Sequence, residues 1–140
     1  MTKKRFTVGI CTWICCFLLL GSMESSAFCY TATPNWSKSP LSSKVTFKAT
    51  TIGGIEARGY YAFAFAALRT DANSKKNLSD GGFQTSFVVA IATSVEISSS
   101  ATYDCSTAKI GYAEYGISSN NNCSGKVPGK HIEMQYSNIY

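Results

Sequence analysis

An all-β fold, a small antiparallel sandwich or barrel of about five to seven strands, is what this sequence predicts, and three observations predict it. Apolar side chains recur at every second position in several separate stretches, a period that a strand gathers on one face and a helix would scatter. Those stretches are divided by segments rich in Gly, Asn, Ser and Asp, the residues of turns. The chain that follows an N-terminal leader is about 113 residues long, enough for one domain with a modest core and too short for two.

The leader is the first element. Lys3, Lys4 and Arg5 form a positive n-region, Val8 to Gly21 an apolar h-region, and Ser25, Ser26 and Ala27 supply the small residues that a signal peptidase needs. An apolar run of about fourteen residues falls short of the roughly twenty of a spanning helix. Residues 1–27 are therefore expected to be a cleaved signal peptide, residues 28–140 a single secreted, extracellular β domain. Phe28, rather than a small residue, precedes Cys29, which argues against a lipoprotein.

Residues 28–44, with Pro34, Trp36 and Pro40, are expected to be an irregular lead-in covering one end of the core. Trp36, the one tryptophan after the leader, suits a core plug; Trp36 and Tyr30 are also the candidates for a surface aromatic that grips a carbohydrate or a membrane interface. Val45, Phe47 and Ala49 alternate with Thr46, Lys48 and Thr50 and predict a strand that Gly53 and Gly54 punctuate. Glu56 and Arg58 share a parity on a predicted strand and suit a plain ion pair.

From Tyr60 to Leu68 both parities are apolar. Tyr61, Phe63 and Phe65 alternate with Ala62, Ala64 and Ala66, which predicts a central strand with its aromatics in the core and its small face close under another element. Thr70 to Gly82 is a polar loop ending in a turn signal. Phe83 to Ile97 keeps a period of two over some fifteen residues and predicts one long strand, bent or bulged. Ile110 to Ile117 predicts a further strand, Ser118 to Gly129 a loop, and Ile132, Met134 and Tyr136 a last strand.

Three cysteines follow the leader. In an oxidising compartment Cys105 and Cys123 are expected to pair, because the segment between them is rich in Gly, Ser and Asn and folds back easily. Closing that loop of about 18 residues would stabilise by on the order of 3 kcal/mol. Cys29 is left outside the bridge, as a buried thiol, an intermolecular link in a homodimer, or a thiol that displaces one of the two favoured partners. A zinc site is not expected, because no short Cys-Cys or Cys-His spacing follows the leader and one histidine is too few; no metal and no cofactor are expected.

The formal net charge of +5 falls to about +3 without the leader, and the lysines are scattered rather than run together. That excludes a nucleic-acid binder and leaves a weak attraction to an anionic membrane. His131 is the only histidine, which rules out two-histidine acid-base schemes; it reads as a solvated surface residue. No Gly-x-Ser-x-Gly elbow is present. Glu56, Arg58 and His131 are the available members of a ribonuclease-like set, without a spacing that singles them out. Asn-x-Ser sequons fall at Asn35, Asn77 and Asn122.

No catalytic constellation emerges, and no enzyme is expected. The function these features favour is a secreted β protein acting by contact with a cell-surface component or a protein partner. A membrane-active, bacteriocin-like toxin is the first alternative, resting on the long alternation from Phe83 to Ile97. A small secreted hydrolase or protease inhibitor is the second.

Overall fold

The computed structural model describes residues 30–92 and 94–138, and these are all-β apart from one 3₁₀ turn at Ile55–Ala57. Strands β1 (Tyr30–Lys38), β2 (Lys44–Gly53) and β6 (Val95–Asp104) form a three-stranded sheet in the order β1-β2-β6. A five-stranded sheet holds β3 (Tyr61–Arg69), β7 (Ile110–Ser118) and β8 (Lys126–Ser137) side by side. Two short strands, β4 (Ser79–Asp80) and β5 (Gln84–Phe87), share the other edge of β3. Every pairing is antiparallel.

The period-two readings of β2, β3 and β7 hold. The segment expected to be an irregular lead-in does not: it forms β1, paired with β2 from Tyr30↔Gly53 to Lys38↔Val45. Pro34 is tolerated because β1 is an edge strand, where half of the backbone N–H groups have no ladder partner to lose.

The long strand predicted from Phe83 to Ile97 is also divided. β5 belongs to one sheet and β6 to the other, and the chain crosses between them over Val88 to Ser94. From Phe87 to Ala92 both parities are apolar, so alternation no longer selects a face. Val88 turns inward, fully buried, while its N–H donates to Tyr60 O at 2.9 Å and the Ala92 N–H closes a turn on Val89 O. The last strand begins at Lys126, earlier than the alternation at Ile132 indicates, with a register shift between Gly116 and Ser118 that marks a bulge.

Two apolar clusters draw on both sheets. Val45, Phe47 and Ala49 of β2 and Ala101 of β6 meet Ala66, Leu68, Ala113 and Tyr115 of β3 and β7. Ile97 of β6 meets Ala62, Ala64, Val88 and Ile117. The alanine face of β3 therefore lies toward the other sheet, and a Cβ on Gly53 would come within 2.8 Å of the Ala62 Cβ. The close small-residue contact expected for β3 is present. Its phenylalanines are buried as expected, Phe63 fully and Phe65 nearly so, but on the other face of the sheet: Phe65 stacks on Phe83 at 4.6 Å and Phe63 meets the same ring edge-on at 5.8 Å. The large rings of Phe47 and Tyr115 fill the space between the sheets, and alanines are what leaves room for them.

A buried serine ties the two sheets together. Ser99 of β6 accepts a hydrogen bond from the Ala66 N–H of β3 at 3.1 Å and donates to Gly82 O at 2.8 Å. Nothing in the short serine run at Ser98 to Ser100 announces this role.

The expected Cys105–Cys123 bridge is not formed. Cys105 follows β6 and Cys123 follows β7, so β7 and its flanking turns separate them. Nine residues of strand span roughly 30 Å, far beyond the Cα separation a disulfide tolerates. Composition favoured a fold-back, whereas a nine-residue strand occupies the middle of the intervening segment. Cys29 lies outside the described residues. Burial pushes the Cys123 thiol from 9.0 up to about 11, with Glu114 adding to the rise and Lys126 opposing it. A raised thiol pKa means stability is held below pH 9 and lost as pH rises toward 11, because the unfolded chain ionises first. At pH 8 Cys123 is expected to resist alkylation in the folded protein and react fully in urea, read by peptide mass. A Cys105–Cys123 peptide in the non-reduced digest would contradict this structure.

Candidate functional site

Two regions stand out, and the first is the outer face of the five-stranded sheet. The register sets Phe65, Glu114 and Glu133 in one row, Gly116 and His131 in the next, and Tyr112 and Gln135 in the row before. The donor atoms of Glu114, His131 and Glu133 all lie within 4.8 Å of one another. Glu114 is only 4 % exposed and forms an ion pair with the ammonium of Lys126, which also stands 5.0 Å from the Phe83 ring centre. The His131 Nδ1 is buried and has no hydrogen-bond partner.

Beside this cluster the Arg69 guanidinium lies 3.8 Å from the Tyr112 ring centre. Burial, then the Glu114 charge, raise the Tyr112 hydroxyl well above its ordinary range, while Arg69 opposes the shift. Arg69, Lys75, Tyr112, Glu133 and Gln135 line a cleft of about 510 Å³. Arg69 is held by Asn77 Oδ1 at 2.9 Å, and Gln135 donates to Ala72 O at 3.1 Å, so the loop after β3 is fastened to β8.

The second region is one end of the molecule, where β2 finishes, β3 begins and the β5–β6 crossing turns. Six large apolar side chains are exposed there: Ile52, Ile55, Tyr60, Phe87, Val89 and Ile91, with Ile55 at 60 % and Ile91 at 89 %. Their loops are pinned to one another. The Gly59 N–H donates to Val88 O at 2.8 Å, and Arg58 gives both Nε and Nη2 to Ala92 O at 2.9 and 2.6 Å. Lys38, Lys44 and Lys109 lie at the opposite end, where β1 finishes, β2 begins and β7 begins.

Trp36 packs against the core, 4.8 Å from Phe47 between ring centres, as a plug does. Tyr30 opens β1 opposite Gly53. Glu56 and Arg58 make no ion pair with each other: Glu56 is exposed on the 3₁₀ turn, and Arg58 is committed to a carbonyl. The strand expected there gives way to a turn because Gly53 and Gly54 precede it and Gly59 takes φ +83. His131, read as a solvated surface residue, is half-buried inside the carboxylate cluster.

That cluster is invisible to sequence reading because Glu114 comes from β7 and His131 and Glu133 from β8. Parity along each strand puts them on a face; only the β7–β8 register, regular from Ile110↔Ser137 to Gly116↔His131, brings them together. The tip was missed for a related reason, Phe87, Val89 and Ile91 having been assigned to the dry face of one long strand. No family model, curated protein sequence or solved structure matches this chain.

Proposed function

We propose that this is a secreted, non-enzymatic β protein that works by contact, and that the apolar tip is the surface it presents to a cell-surface component or protein partner. The observation that carries the reading is the exposure of Ile52, Ile55, Tyr60, Phe87, Val89 and Ile91 on segments that all lie at one end. Scattered exposed apolar residues are ordinary, but six on the segments that meet at one end of a small domain suit an interaction surface. The hydrogen bonds between residues 58–60 and Val88 to Ala92 hold the patch in shape before contact, which reduces the entropy lost on binding.

The two sheets, with clusters drawn from both, suit a sandwich that serves as a rigid support for such loops. Secretion rests on the leader: a basic n-region, an apolar stretch and small residues at 25–27. The membrane-active alternative rests on the alternation from Phe83 to Ile97, a stretch that this fold divides between β5 and β6 of different sheets. Arg58, one member of the ribonuclease-like set, is held by a backbone carbonyl.

The test is retention of the purified protein on intact cells, wall fractions and anionic vesicles. Retention on at least one of them is expected. No retention on any, together with turnover of a substrate in an activity screen, would replace this reading with an enzymatic one.

A further inference from the structure

We infer that Glu114, His131 and Glu133 form a binding site for a first-row divalent cation, zinc being the best suited. In the β7–β8 pairing Glu114 stands directly opposite Glu133, and like charges facing each other across a strand pair are destabilising unless a cation lies between them. Lys126 supplies one positive charge to Glu114, leaving the second carboxylate of the row unmatched by that contact. The imidazole of His131 completes a set of one nitrogen and two oxygens whose atoms sit within 4.8 Å of one another, a separation that one ion with ligand bonds near 2.1 Å closes. Zinc accepts such a mixed set, and three protein ligands leave a fourth position for water or a group from a partner.

Two further observations point to a ligand. The Nδ1 of His131 is buried with no hydrogen-bond partner, whereas buried polar atoms are overwhelmingly satisfied. The residue across from His131 is Gly116, at φ +154, where a Cβ would fall 2.7 Å from the His131 Cβ and 2.5 Å from Lys130 O. A side chain there would push the histidine strand away from Glu114. Glycine at this point lets the imidazole and the buried carboxylate share one site. The site adjoins the cleft through Glu133, and it stands apart from the apolar tip.

Isothermal titration of the full chain with zinc chloride, after treatment with EDTA, tests this. One zinc per chain is expected, with His131→Gln and Glu133→Gln each weakening binding at least tenfold. Both variants keep every cysteine, so zinc held by thiols would persist in them and be recognised. Their unfolding midpoints in EDTA are expected to match the parent, which separates loss of a ligand from loss of fold. Absence of zinc binding in the parent at submillimolar concentration, or undiminished binding in the two variants, would overturn the inference.

Discussion

Phe47→Ala is expected to destabilise the domain by about 4 kcal/mol, within the range for emptying a buried phenylalanine site. The ring is fully buried at the junction of the two sheets. It lies 4.8 Å from Trp36 and 5.9 Å from Tyr136 between ring centres, and a Cβ on Gly111 would come within 2.6 Å of it. It thus joins β1, β2, β7 and β8 at one point, and the backbone beneath it has little freedom to collapse into the void. Domains of this size hold roughly 5–15 kcal/mol in all, so the variant keeps only part of its margin. Urea unfolding of Phe47→Ala beside Phe47→Leu measures it, with the leucine variant losing markedly less. A loss below about 1 kcal/mol for alanine, the scale of an ordinary surface substitution, would mean that this ring does not join the sheets.

Lys126→Gln is the second large effect. Glu114 is 4 % exposed, and its ion pair with Lys126 offsets the desolvation of its carboxylate. Removing the ammonium leaves a buried charge without that partner, which costs about 3 kcal/mol, at the lower end for a broken buried pair because Lys126 keeps some contact with water. Adding Glu114→Gln to Lys126→Gln removes the orphaned charge, and the double variant is expected to recover most of the loss. The cycle is read by chemical denaturation. Equal instability of the single and double variants would show that Lys126 acts through packing over Phe83 rather than through its charge.

Much of the architecture was legible in the sequence because sheets encode faces by parity. Val45, Phe47 and Ala49 announced β2, and the doubly apolar run from Tyr61 to Leu68 announced a central strand. What parity does not carry is which face meets which sheet. The alanines of β3 lie toward the other sheet and its phenylalanines lie under Phe83, a choice made by the size of Phe47 and Tyr115 on neighbouring strands. Pairing partners were hidden for the same reason. The proposed metal site joins residues of two strands through a pairing register that neither strand announces alone, and the Cys105–Cys123 expectation failed because a loop-like composition concealed the nine-residue strand between them. The break after Phe87 was the hardest to foresee: no Gly or Pro marks it, and its signal is only that Phe87 to Ala92 stop alternating.

Those same residues form the tip on which the proposed function rests. The direct measurement is retention on cells and wall fractions of Val89→Ser/Ile91→Ser beside the parent and beside Ile132→Ser, an exposed apolar position on β8. Val89 and Ile91 are already solvated in the free protein, so the double change is expected to leave the unfolding midpoint where it was while retention falls at least tenfold. Ile132→Ser is expected to bind as the parent does. Full retention by Val89→Ser/Ile91→Ser, with the fold intact, would contradict the tip as the contact surface.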